Sequence, residues 1–186
     1  IKALWIMATN PVVSLPNADF VRHALKTCPF VVLSDCVAGT DTAAFADMVL
    51  PAAAWGEKDG TVTNSERRIS RQRAFMAPPG EAQPDWRIVS EVARRMGFAD
   101  AFTYRNPAEI FREHAALSGF ENGGERFFDI SGLSGLSDAA YDALEPVRWP
   151  MRGAGGTPRL FSDGVFATPS ERARFVAPAS TVERLA

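Results

Sequence analysis

The chain has 186 residues, an apolar fraction of 46%, a charged fraction of 23% and a formal net charge of −2. Those values describe an ordinary globular sequence of one domain, or one domain with part of a second. They exclude the basic excess that binding to nucleic acid or an anionic membrane requires, and no apolar run is long enough to cross a bilayer. The two cysteines, Cys28 and Cys36, suit a reducing compartment with incidental thiols, so a cytoplasmic protein without disulfides is expected.

Ala3–Thr9 is a continuous apolar run closed by Asn10-Pro11, the pattern of a strand covered on both faces. A chain that opens inside such a strand reads as part of a longer protein. Asn17 is placed to cap a helix over Ala18–Lys26, with Phe20, Val21, Ala24 and Leu25 on its apolar face. Phe30–Leu33 is a second buried strand, Thr42–Ala46 a short helix, and Met48–Leu50 a third strand ended by Pro51. This alternation predicts a parallel sheet flanked by helices, an α/β layer.

Thr61–Thr63 and Ile69–Phe75 read as an extended excursion entered through the Asp59-Gly60 turn. Pro78–Asp85 is a loop. Trp86–Met96 is an amphipathic helix with Ile88, Val89, Val92 and Met96 inward, and Gly97 stops it. Beyond Ala101 the pattern changes, dividing the chain into an α/β domain over 1–101 and a helical, loop-rich extension over 102–186. Helices are expected at Pro107–Leu117 and Ala139–Leu144, with Gly- and Ser-rich connectors between them. Leu160–Phe161 and Val165–Phe166 flank Ser162-Asp163-Gly164, a short β-hairpin signal, and Arg172–Val176 begins a further strand. The extension is thin in apolar residues and is expected to pack on the first domain.

In open α/β sheets a ligand lies beyond the carboxyl ends of the strands. Asn10, Asp35 and Lys58 fall there. An asparagine amide can donate to a phosphate. A carboxylate 25 positions later can accept from a ribose diol, or from the N1–H and amine of guanine, and a lysine can neutralise a diphosphate. Each also has a purely local reading: a strand-to-loop turn at Asn10-Pro11, an Asx turn at Asp35, a solvated pair at Glu57-Lys58. The loop Thr9–Pro16 lacks the GxGxxG fingerprint, which disfavours a standard NAD-binding fold. His23 and His114 are far apart, and neither HxxxH, paired-cysteine spacing, a GxSxG elbow nor a P-loop occurs. The sequence offers a nucleotide-shaped cleft without a nucleophile, base or metal ligand.

Five spaced blocks carry a more specific message: LWIMATNP, VVLSD, TAAFADMVLPAAAW, EKDGTVTNSERR and PGEAQPDW, in that order between Lys2 and about Gly97. They resemble the third domain of the molybdopterin-guanine-dinucleotide oxidoreductases, the dimethyl sulfoxide reductase family. Within that family, FREHAALSGFENGGERFFDISGLSGLSDAAYDALEPVRWP and GTPRLFSDGVFATPSERARF are most similar to the assimilatory nitrate reductase catalytic subunit. The resemblance implies a domain that performs no redox chemistry itself and grips the guanine end of one of two molybdopterin guanine dinucleotides on a molybdenum. It implies cofactor contacts at Asn10, Ser34, Asp35, Lys58 and Asp85, of which Ser34 and Asp85 come from the resemblance alone, with Thr40, Thr42, Gly60 and Asn64 as weaker candidates. The parent would reduce nitrate to nitrite, fed by a 4Fe–4S cluster in the missing part and by an electron-donor protein or subunit. The chain alone, stopping near the start of a C-terminal barrel, would be inactive. Its partners would be the remaining domains, and surfaces that meet them, including Trp55, Trp149 or Phe166, would favour a fragment dimer. A related enzyme such as formate dehydrogenase, or a non-catalytic structural relative, is the alternative.

Overall fold

The computed structural model describes residues 1–153 and 155–177. Strand β1 (Leu4–Met7) is followed by a short helix α1 (Pro11–Ser14), a helix α2 (Ala18–Thr27) and strand β2 (Val31–Asp35). A 3₁₀ turn at Ala43–Phe45 leads to strand β3 (Met48–Pro51). All three strands are parallel and β2 lies between the others, with Leu4 opposite Val31 and Val32 opposite Met48. This is the α/β layer that the strand–helix rhythm predicts. Its core joins Ile6, Val12, Leu25, Val31 and Leu33, and the last two are fully buried in the central strand.

Local chemistry explains most boundaries. The Asn17 side chain accepts from the Phe20 N–H at 3.2 Å, capping α2 as expected. The α2 face is narrower than its spacing suggests, since Leu25 is buried while Phe20 and Ala24 are exposed. The segment after β1 is a helical turn instead of a plain loop, because Pro11 at its first position needs no N–H partner and presets φ. Met48 and Val49 are exposed, as an edge strand with one neighbour permits.

A second, antiparallel sheet joins β4 (Gly60–Thr63), β5 (Arg68–Gln72) and β6 (Val147–Arg148). Asn64 Oδ1 accepts from the Glu66 and Arg68 N–H groups at 3.0 Å each and shapes the β4–β5 turn. Helix α3 (Asp85–Arg95) buries Ile88 but leaves Met96 exposed one residue beyond its end, and Gly97 takes the left-handed φ of 98° that stops it. Helices α4 (Pro107–Gly119) and α5 (Asp138–Asp142) are the remaining α-helices among the described residues, with 3₁₀ turns at Trp55–Glu57, Ala99–Ala101 and Ser131–Leu133.

The extension is not thin in apolar burial. Ala108, Phe111, Ala115, Ile130, Leu133, Tyr141 and Met151 gather around Ile69 of β5 in a second core. At Leu160–Phe166 the expected hairpin does not form. Gly164 N–H bonds the Phe161 carbonyl at 3.0 Å and closes a turn, but the flanks make no strand ladder because Phe161 takes a left-handed φ of 58° and its ring stacks on Phe166 at 4.8 Å. Residues 172–176 are likewise without strand, and what lies past 177 is outside the described residues. Trp149 packs on Phe128 at 5.4 Å and Phe166 is half-buried, whereas Trp55 is exposed.

Candidate functional site

The carboxyl ends of β1, β2 and β3 line up along one edge of the parallel sheet. Past β3, the ladder is prolonged by an isolated parallel bridge between Ala52 and Gln83. Gln83 N–H bonds the Pro51 carbonyl at 3.1 Å, and Ala53 N–H bonds the Gln83 carbonyl at 2.9 Å. This bridge draws Asp85, the first residue of α3, beside the strand ends although it lies far along the chain.

Asp35 closes β2. One carboxylate oxygen accepts from the Val37 N–H at 3.2 Å, an Asx turn, and the other takes no hydrogen bond among the described residues. Lys58 Nζ meets Asp85 Oδ2 at 2.7 Å, with each side chain about one-third exposed (29% and 32%). Two of the five expected contacts are thus an ion pair with each other, not two separate surface charges. Asp85 also sits in the first turn of α3, where a negative charge suits the helix dipole. The ammonium has three donors and spends one on Asp85, leaving capacity for an anion.

Asn10 follows β1. Its Oδ1 accepts from Thr42 Oγ1 at 2.6 Å and from Thr42 N–H at 3.2 Å, and its amide nitrogen stands 3.5 Å from Asp41 Oδ2. Thr42 is fully buried, and its hydroxyl also accepts from the Val12 N–H at 3.3 Å, so it pins α1 to the loop after β2. Thr40 is spent locally, receiving the Ala43 N–H at 3.3 Å. Ser34 is fully buried in β2, and its hydroxyl accepts from Trp5 Nε1 at 2.8 Å. Its side chain therefore braces β1 against β2 and does not line the edge. Sequence reading did not find Trp5, Asp41 or Gln83. Their roles depend on pairings across strands that no local pattern announces.

Beside the Lys58–Asp85 pair runs a cleft of about 440 Å³ whose walls include Glu57, Asp59, Gln83 and Trp86. Behind it, Arg71 has only 2% of its side chain exposed. It contacts Asp59 at 2.9 Å, Asp142 at 3.2 Å and the Tyr141 ring at 4.1 Å, and donates to the Gly60 carbonyl. Burial alone would lower its pKa, but the hydrogen bond it donates to Asp59 and its other acidic neighbours outweigh burial and raise it. Arg71 thus fastens Asp59, next to Lys58, onto α5. Among the described residues no group of three or more His, Cys, Asp or Glu side chains could hold a metal ion, and Cys28 and Cys36 are free thiols.

The molybdopterin oxidoreductase family model matches residues 1–95, the whole of the parallel sheet and its bridged edge. This chain belongs to the molybdopterin oxidoreductases. A nitrate reductase of Klebsiella oxytoca is 65% identical over 151 residues, 81% of this chain and 17% of that protein. One from Shewanella frigidimarina is 51% identical over 188 aligned residues, 96% of this chain and 20% of the relative. The F420-dependent formate dehydrogenase alpha subunit of Methanocaldococcus jannaschii is 49% identical over 113 residues, 61% of this chain and 17% of its own. The chain thus spans about a fifth of the length of the curated relatives it matches. Among solved structures, acetylene hydratase from Pelobacter acetylenicus shares the fold with a TM-score of 0.59 at 23% identity, covering 92% of this chain and 21% of that one. Among the described residues of this molybdopterin oxidoreductase segment, no helix is long and apolar enough to cross a membrane.

Proposed function

We propose that this segment holds the guanine-nucleotide end of a molybdopterin guanine dinucleotide within a molybdenum-dependent nitrate reductase. The observation that carries the reading is the sheet edge itself, where Asp35 offers a carboxylate oxygen with no partner among the described residues and Lys58 stands with spare donors. The residues fit the group. A carboxylate can take both the N1–H and the exocyclic amine of guanine, and an ammonium steadied by Asp85 suits a diphosphate without carrying an uncompensated charge. The Asn10 amide, loosely placed at 3.5 Å from Asp41, can turn to a phosphate or ribose oxygen. Ser34 contributes by fixing the β1–β2 edge through Trp5. Asp85 acts through Lys58.

When bound in the parent enzyme, the group held by Asp35, Lys58 and Asn10 would supply the molybdenum redox chemistry that reduction of nitrate to nitrite needs. A 4Fe–4S cluster in the rest of the protein would feed it from an electron donor in the cytoplasm. This segment binds and orients and moves no electron itself, so in isolation it is inactive. Nitrate is favoured over formate because the Klebsiella and Shewanella nitrate reductases, at 65% and 51% identity over 81% and 96% of the chain, exceed the Methanocaldococcus formate dehydrogenase subunit, at 49% over 61%, in both identity and coverage.

The test is a thermal-shift titration of the chain with GDP, ADP and NAD in parallel, repeated on Asp35→Asn, which preserves the Asx turn. A ligand at a hundred times its Kd stabilises by about 2.7 kcal/mol. The expected result is a shift with GDP alone that the variant loses. A shift with ADP or NAD in its place would overturn the reading.

A further inference from the structure

The second sheet carries a feature that the guanine-nucleotide reading does not use. Arg68 of β5 and Arg148 of β6 are directly opposite in the antiparallel ladder. Like charges in that position repel and are destabilising unless an anion is shared between them. Among the described residues one anion lies between them, Glu66, whose Oε2 is 3.0 Å from Arg148 Nη2 and 3.6 Å from Arg68 Nε. A single carboxylate oxygen against two guanidinium groups leaves one positive charge uncompensated. Arg148 Nε has no partner at all among the described residues. A guanidinium edge presents two parallel donors, and here only one of the two is used.

Both arginines line an open pocket of about 320 Å³, with Pro146, Val147, Met151 and Pro158 as its apolar walls. Gly156 also lines it, where a Cβ would run into the Arg148 carbonyl oxygen, so the backbone comes closer to β6 there than any other residue allows. The arginine side chains are 39% and 35% exposed, so a ligand meets their exposed guanidinium nitrogens first, while Arg148 Nε itself is buried. The Glu66 carboxyl is held below its usual range, first by its hydrogen bond from Arg148 and then by the charges of both arginines, as a stand-in anion at this place should be.

We propose that Arg68 and Arg148 form a phosphoryl-binding site whose ligand displaces Glu66 from between them. A phosphate dianion accepts from both guanidinium groups and supplies the charge that one carboxylate cannot. The apolar walls and the pocket's size favour a phosphate monoester, its organic part lying against Pro146, Met151 and Pro158, over the free ion. The site lies on the β4–β5–β6 sheet and is independent of the guanine-nucleotide reading.

Isothermal titration at constant ionic strength, with inorganic phosphate and with glycerol phosphate as probes, tests the proposal on the chain and two variants. Saturable binding is expected, at least tenfold weaker in Arg148→Gln. Glu66→Gln removes only an exposed competitor, so its fold is expected to survive, and it should tighten binding several-fold. Tighter binding of the ester places the site's ligand among organic phosphates, and equal affinities place it with the free ion; either supports a phosphoryl site. Absence of saturable heat, or an affinity unchanged by Glu66→Gln, would overturn it and leave Glu66 as the pair's permanent counter-ion.

Discussion

Ser34 shows how a residue beside a site differs from a residue in it. Its hydroxyl is completely buried, and Trp5 Nε1 is its donor at 2.8 Å. A buried acceptor stripped of its donor costs about 1–3 kcal/mol, whereas removing both partners together is much cheaper. Trp5→Phe is therefore expected to lower the unfolding free energy by about 1–2 kcal/mol. Ser34→Ala added to it should recover part of that loss, giving a measurable coupling in urea denaturation. Additive single effects would show that the bond does not hold β1 to β2. The same residue marks the limit of sequence reading. Position along the chain puts Ser34 at a strand end, but only the pleat decides that its side chain turns inward to Trp5 while that of Asp35 does not.

At the level of elements, sequence reading succeeded where the cause is local. Asn17 before α2 and Gly97 after α3 act within a turn of themselves, so their neighbours suffice to predict them, whereas Asn10-Pro11 reads as a turn and Pro11 in fact starts a helix. It fell short where partners are distant. β6 is two residues long and exists because β5 pairs with it across about eighty residues of chain. The turn at Ser162–Gly164 met its local requirements, but strands also need an edge to pair with. Helix α4 combines both kinds of cause. Asn106 Oδ1 accepts the Glu109 N–H at 3.0 Å, a local cap, while its amide donates to Asp138 of α5 at 3.1 Å. Asn106→Ala should cost about 1 kcal/mol from the lost cap. Asn106→Ser, which restores the cap but cannot reach α5, should recover most of it. An equal loss in both variants, measured by thermal unfolding, would assign the role to the α4–α5 contact instead.

Across the whole molecule, the two hydrophobic cores share no residue: one centres on Leu33 and Val31, the other on Ile130, Phe111 and Ala115. Leu33 and Ile130 are each 0% exposed. Truncating a buried aliphatic side chain to alanine costs about 2–5 kcal/mol through lost transfer energy and the cavity left behind. Leu33→Ala is expected to accelerate amide exchange chiefly in β1–β3, and Ile130→Ala chiefly in α4 and β5. Uniform acceleration by either would mean that the cores unfold as one. The expected contrast matters for the site, because Lys58 and Asp59 are neighbours in sequence yet are fastened in opposite directions. Lys58 is tied to α3 through Asp85, and Asp59 to α5 through Arg71.

The Ala52–Gln83 bridge has a consequence for how this architecture can vary. It acts as a clasp: once Gln83 is bonded to Pro51 and Ala53, the path taken by residues 76–81 no longer determines where Asp85 stands. Doubling the length of such a loop costs only about 0.6 kcal/mol in closure entropy. The exposed stretch at Ala77 is therefore a place where nature, or an engineer, can splice in a tag, a recognition loop or a small domain while the strand-end register stays put.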